Sequence, residues 1–207
     1  MYPMTEPIYP LLKTVRHRIG IDGAGITTLI AGAGCPLSCR WCINKKLLSE
    51  ASPQPVTAQQ LYEMVRIDDL YFQATGGGVT FGGGEPLLHA DFIRHFKQII
   101  PPVWKLNVET SLAIPAENLK TVCDVIDCFI VDCKDMNPEI YHSYTGGNSS
   151  LLKENLQSLA QTVNPEKVLI RIPLIPEYNT PEDQQKSIKA LQTMGFTRFD
   201  VFNYITL

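Results

Sequence analysis

Six short apolar runs, each followed by a loop and most of them by a helical stretch, leave this chain little choice of fold. They are Ile26–Ala31, Gly78–Phe81, Trp104–Val108, Cys128–Asp132, Val168–Ile172 and Arg198–Phe202. Each has the length and apolar density of a buried strand. Five stretches between them read as helices. The first opens at Thr57, a good N-cap, and runs to about Phe72 with Leu61, Met64, Val65 and Leu70 near helical spacing. The second carries Phe92, Ile93, Phe96 and Ile99. The others cover Pro115–Val125, Ser150–Gln161 and Pro181–Met194, the last with Pro181 in its first turn and Gly195 behind it. Strands alternating with helices demand right-handed crossovers and a parallel sheet. Two arrangements satisfy this: an open doubly wound sheet, or a curved, incomplete barrel with helices outside. Both gather ligands at the carboxyl ends of the strands.

The residues with chemistry fall at those ends. Cys35, Cys39 and Cys42 follow the first strand, and Gly82-Gly83-Gly84-Glu85 the second. Glu109-Thr110-Ser111 closes the third, Asp132-Cys133-Lys134 the fourth, Arg171 and Pro173 the fifth, and Asn203-Tyr204 the sixth. Six such coincidences predict one composite site on one rim. The 207 residues, 44% apolar and 19% charged, suit a single soluble α/β domain over residues 1–207. A net charge of −3 with no basic run argues against nucleic acid as the main partner. No apolar run approaches the ~18 residues of a membrane span. The first residues lack the basic and apolar regions of a signal peptide. A cytoplasmic location with reduced thiols is expected, so the six cysteines need a role other than disulfides.

Three of them lie in Cys35-Pro36-Leu37-Ser38-Cys39-Arg40-Trp41-Cys42, a C-x3-C-x2-C spacing. Pro36, Ser38 and Arg40 mark a loop rather than a core strand. Three thiolates on a short loop suit a four-iron, four-sulfur cluster with one iron free of protein ligands, to which a substrate or cofactor can bind. A zinc site would need a remote fourth ligand such as His17 or His89. Cys123, Cys128 and Cys133 recur every five residues over a helix end, a strand start and a strand end, so they read as packing cysteines. His17, His89, His95 and His142 read as surface or packing residues.

The cysteine loop, with Trp41 before its third cysteine, resembles the signature of the radical S-adenosylmethionine superfamily. Longer stretches narrow the resemblance to the activating enzymes of glycyl radical enzymes. These are Ile21–Ile26, the glycine-rich run Gly76–Leu87, Asp132–Asn137 and Ile170–Pro176, within a likeness covering about Gly20 to Tyr204. The resemblance implies a partial (β/α)6 barrel, a [4Fe-4S] cluster on Cys35, Cys39 and Cys42, and S-adenosylmethionine chelated to the free iron. An electron from the cluster would cleave the sulfonium bond. The 5′-deoxyadenosyl radical would then take a hydrogen from a glycine Cα of a partner enzyme. Gly83, Gly84 and Glu85 would meet the ligand's ammonium group, and Asn44 and Trp41 its adenine. Lys134 and Arg171, cations on the inner rim, are candidates for its carboxylate and ribose, with Pro173 beside them. Glu109 and Asp132, with Thr110, form a candidate site for a monovalent cation, the alternative being that they pair with Lys134 or Arg171.

The sequence departs from the family pattern in three places. Ile43 stands where a histidine is usual, Glu109 where an aspartate is usual, and Ile205 where a ligand-contacting histidine is expected, leaving Tyr204 or Asn203 as substitutes. No ferredoxin-like cysteine insertion is present, so a flavodoxin or ferredoxin is expected to supply the electron. A monomer is expected, because the open rim must accept a partner. The rivals are a radical enzyme acting on a small molecule, the activase of anaerobic ribonucleotide reductase, and a zinc-binding interaction module.

Overall fold

The computed structural model describes residues 6–204. Its strands are β1 (Tyr9–Ile19), β2 (Ile26–Gly32), β3 (Gln54–Val56), β4 (Gly78–Gly83), β5 (Lys105–Thr110), β6 (Cys128–Asp132), β7 (Val168–Leu174) and β8 (Arg198–Asn203). Its α-helices are α1 (Lys45–Glu50), α2 (Ala58–Val65), α3 (Asp69–Thr75), α4 (Ala90–Ile99), α5 (Ala116–Val122), α6 (Pro138–Thr145), α7 (Ser150–Thr162) and α8 (Pro181–Thr193). All eight strands form one sheet in the order β3-β1-β2-β4-β5-β6-β7-β8. The six strands expected from the sequence, β2 and β4 to β8, pair in parallel throughout.

Two strands were not expected. β1 pairs antiparallel with β2, and the Pro-containing stretch Gln54–Val56 supplies the three-residue edge strand β3. β1 hides from a pattern search because Lys13, Arg16, His17 and Arg18 interrupt its apolar residues and a bulge breaks its register after Val15. A charged, bulged edge is how sheets avoid pairing with other chains.

The sheet is curled. The β1–β2 turn reaches under the strands, where the Asp22 carbonyl accepts bonds from Thr80 of β4 and Asn107 of β5. The neighbouring Ile21 carbonyl accepts one from Arg171 of β7. In a flat sheet β2 and β7 would stand about 19 Å apart, four strand spacings. At the other end Tyr204, just past β8, donates to the Trp41 carbonyl at 2.5 Å, tying the end of β8 to the loop after β2. The curved, incomplete barrel is therefore the arrangement adopted.

Strand alternation then sorts the side chains. Val79, Phe81, Leu106, Val108, Phe129, Val131, Ile170 and Ile172 face outward and are buried with Phe92, Phe96, Leu119 and Leu156 from the helices. The intervening Thr80, Asn107, Glu109, Asp132 and Arg171 line the inside. The expected helix from Thr57 to Phe72 is broken in the middle. Thr57 caps α2 in a capping box with Gln60, but a 3-10 turn over Arg66–Asp68 separates α2 from α3. The cause is tertiary: Asp68 is fully buried, bound by Arg16, His17 and Thr28 from the sheet. Pro181 starts α8 as the sequence indicates, and Thr180 before it caps the helix. Helices α1 and α6 were not anticipated, although Asn137 and Pro138 are a good cap and first residue for α6.

Candidate active site

The cysteine loop leaves β2 through Gly32–Gly34 and is pinned by the carboxyl end of α6. The Ser38 amide and hydroxyl both donate to the Thr145 carbonyl, at 2.8 and 3.2 Å, and the Arg40 amide donates to the Tyr144 carbonyl at 3.1 Å. Cys35 is exposed, Cys39 and Cys42 are half-buried, and none is in a disulfide. The three thiols are electrostatic neighbours: burial pushes the Cys39 thiol up to about 11, Lys134 pulls the other way, and Cys35 and Cys42 add to the rise. Burial also raises Cys35, with Glu85 and Cys42 contributing. Such thiols ionise when a metal supplies the positive charge. Among the described residues no three His, Cys, Asp or Glu side chains converge on a single-ion site. Three thiols on one short loop are the donor set of a cluster, which takes one thiolate on each of three irons. The histidines considered for zinc are also engaged elsewhere: His17 lies 3.1 Å from Asp68 and packs at a tilt on Tyr71, and His89 packs on Tyr9.

The glycine turn after β4 lies against the start of this loop. Gly83 has φ +89, a conformation side chains avoid. The Gly84 and Glu85 amides donate to the Gly32 and Gly34 carbonyls at 3.0 and 2.8 Å. Asn44 amide donates to the Gly83 carbonyl at 2.9 Å, so this residue ties the two loops together. The Glu85 side chain is engaged within the protein. Its carboxylate is 1% exposed and turned inward, accepting from the Thr110 and Ser111 hydroxyls and the Ser111 and Leu87 amides. Burial raises its pKa against those four donors. The side chain braces the β4 and β5 ends rather than offering oxygens to a ligand.

The inner rim holds two ion pairs. Arg171 meets Glu109 at 2.5 Å and Asp200 at 3.6 Å. Lys134, with a side chain only 12% exposed, meets Asp132 at 3.0 Å. The alternative pairing weighed from sequence is therefore the one formed, and both carboxylates expected for a monovalent cation are taken by protein cations. Burial opposes the Lys134 charge, but Asp132 and the adjacent Cys39 raise its pKa on balance. Burial and the nearby Asp22 push Glu109 up to about 7, against the pull of Arg171. Lys134 thus brings positive charge close to Cys39.

Trp41 is half-buried, its indole nitrogen without a partner among the described residues, and its carbonyl held by Tyr204. Pro173 is buried, and its carbonyl accepts from Asn179. Ile205 lies outside the described residues. Cys133 is in the core and Cys123 packs against it. Sequence reasoning passed over residues both at this mouth and beneath it. Tyr141 and Tyr144 of α6 are buried beside the cysteines, and Asp22 sits beneath Glu109.

Comparison with known proteins agrees with this geometry. Residues 29–198 match the Radical SAM superfamily. The (2S)-3-sulfopropanediol dehydratase activating enzyme of Klebsiella oxytoca is 26% identical, covering 90% of this chain and 81% of its own. The pyruvate formate-lyase 2-activating enzyme of Escherichia coli is 29% identical, covering 82% of this chain and 68% of its own. The Klebsiella alignment runs over 260 positions, so that protein carries inserted residues that this one lacks. Streptococcus suis SuiB has the same fold, with a TM-score of 0.66 and 15% identity over 86% of this chain and 40% of its own. The chain belongs to the radical SAM superfamily, with a [4Fe-4S] cluster and S-adenosylmethionine as its cofactors.

Proposed function

We propose that this protein is an activating enzyme that installs a radical on a glycine of a partner glycyl radical enzyme. The observation that carries the reading is the pinning of three free thiols at the open mouth of the barrel, beside a glycine turn. Relatives named as activating enzymes point the same way. When bound, the cluster would supply the electron for reductive cleavage of S-adenosylmethionine. The chain's own residues do the rest. Cys35, Cys39 and Cys42 hold the cluster. The Gly83–Gly84 backbone lets the methionine moiety lie close to the strand end. Lys134 and Arg171 orient its carboxylate and ribose through hydrogens left over from their ion pairs. Trp41 and Asn44 border the adenine. With that chemistry supplied, one hydrogen atom would pass from the partner's glycine Cα to the 5′ carbon, leaving 5′-deoxyadenosine and a glycyl radical.

A flavodoxin or ferredoxin is the electron donor in this reading, and the enzyme is a cytoplasmic monomer. No helix among the described residues is long and apolar enough to cross a membrane. A cavity of about 660 Å³ opens on the outer side of the cysteine loop, reaching Cys39 and Cys42. Arg40, Lys45 and His142 line it and no carboxylate does, although the chain as a whole is acidic. Complementary charge of this kind speeds the docking of acidic carriers. Arg40→Glu with Lys45→Glu is expected to slow cluster reduction by an acidic carrier about tenfold at low salt and to flatten its salt dependence. Stopped-flow reduction measures this, and photoreduction by a deazaflavin is expected to be unchanged.

The function itself is tested by anaerobic reconstitution with S-adenosylmethionine, a reductant and candidate glycyl radical enzymes from the same source. A glycyl radical doublet in the partner's EPR spectrum, with one 5′-deoxyadenosine per radical, is expected. Steady 5′-deoxyadenosine formation on a small molecule, with no radical in any partner, would overturn the reading.

A further inference from the structure

Helix α6 does more than anchor the cysteine loop. Tyr141, one turn before the anchoring carbonyls, is 1% exposed. Its hydroxyl is buried and has no hydrogen-bond partner among the described residues. A buried phenol without an acceptor costs free energy, and such orphans call for an explanation. Burial holds the phenol protonated, reinforced by Cys39, Cys133, Glu85 and Cys35, in that order of influence. The ring lies against the cysteine loop: a Cβ built on Gly147 would lie 3.6 Å from Tyr141 Cε1 and 2.5 Å from Leu37 Cδ2, and Leu37 stands between Cys35 and Cys39, so the phenol faces the cluster loop as a donor. The other acceptors nearby are spoken for or out of reach. Glu85 already takes four donors and none of them is Tyr141. The Cys133 thiol makes no bond to it. Tyr144 also has a buried hydroxyl, but it leans on Tyr204, which bonds the Trp41 carbonyl.

We propose that the Tyr141 hydroxyl donates a hydrogen bond to a sulfur of the cluster held by Cys35 and Cys39, making the cluster easier to reduce. Hydrogen bonds to the sulfurs are among the features that set a cluster's potential, and they favour the reduced form, which carries the extra negative charge. Tyr141 is thereby a tuning residue whose hydroxyl touches the cofactor. The same helix fixes both the loop and the donor, so the distance between them does not depend on a mobile segment. The inference rests on the superfamily's cluster and not on the identity of the partner enzyme.

The test is an anaerobic redox titration of the reconstituted protein, following the reduced cluster by EPR. In Tyr141→Phe the ratio of reduced to oxidised cluster at a fixed poise is expected to fall about tenfold, equivalent to about 59 mV for a one-electron couple. Iron and sulfide content should match the wild type. Tyr62→Phe, which removes a phenol packed on Trp104 at the other end of the barrel, is expected to leave the midpoint in place. An unchanged midpoint in a fully loaded Tyr141→Phe protein would overturn the proposal. Should that variant load poorly, 3,5-difluorotyrosine placed at position 141 keeps the ring and strengthens the donor. The midpoint then rises, or the proposal is wrong.

Discussion

Cys39→Ala is expected to keep the fold and lose the chemistry. The Cys39 side chain is half-buried on a loop, and the bonds that hold the loop are made by the backbones of Ser38 and Arg40 and the Ser38 hydroxyl. Removing one thiol leaves those bonds in place. Thermal unfolding of the metal-free protein should therefore move by no more than about 2–4 °C, equivalent to roughly 1 kcal/mol. Two remaining thiolates do not hold a cube that also needs one open iron. After anaerobic reconstitution, iron content and the charge-transfer band near about 400 nm should be largely lost. Formation of 5′-deoxyadenosine should drop to background, on the order of 10³-fold or more. A Cys39→Ala protein with full iron content and undiminished product would remove the basis of the site. Among the described residues Cys123, Cys128 and Cys133 are distributed through the core and the β6 start, so none replaces the missing ligand.

Gly84→Ala is expected to damage the fold and the site together. A Cβ built on Gly84 would lie 2.1 Å from the Gly34 carbonyl oxygen and 2.9 Å from its carbon. Both atoms are backbone, so no side chain can swing aside. The same backbone carries the bonds from Gly84 to Gly32 and from Glu85 to Gly34. Opening a gap for one methyl would stretch both bonds and lift Glu85 from its four donors, leaving a buried carboxylate short of partners. Combined, these effects place the loss at about 4 kcal/mol, among the largest single-residue effects. The melting temperature of the metal-free protein should fall by roughly 10 °C. Cluster loading should suffer as well, since Gly34 immediately precedes Cys35. Gly76→Ala is the comparison. Gly76 has φ +67 but open space around its Cβ, so only the left-handed strain of about 1 kcal/mol applies. Equal melting temperatures for the two variants would show that the turn yields and that close packing does not explain the glycine.

Much of the barrel was legible in the chain. The six parallel strands follow from short apolar runs, and Ile170 and Ile172 pack outward while Arg171 faces inward, as an alternation of two residues requires. Helix starts at Thr57 and Thr180 carry their own capping side chains. The cysteine spacing places three thiols on one loop whatever surrounds it. These signals are local: each depends on residues a few positions apart.

What lay beyond the sequence depends on groups far apart in the chain. β1 carries charge on its exposed positions, and its strand character comes from pairing with β2 and β3. The break between α2 and α3 comes from Asp68 meeting Arg16, 52 residues earlier. Glu85 carries an acceptor that reads as ligand-facing until Thr110 and Ser111, about 25 residues on, draw it inward. Arg171 and Glu109, 62 residues apart, cancel each other inside the curl, a pairing the sequence offered beside a cation site without deciding between them. Tyr141 reads as an ordinary helix residue until α6 is set against the cysteine loop. By itself the sequence determined the strand set, the helix caps and the three-thiol loop, because short-range periodicity and spacing survive in any context. Only the tertiary structure decided which buried charges are paired, which glycine meets backbone and which phenol is left without a partner, because those are questions of distance across the barrel.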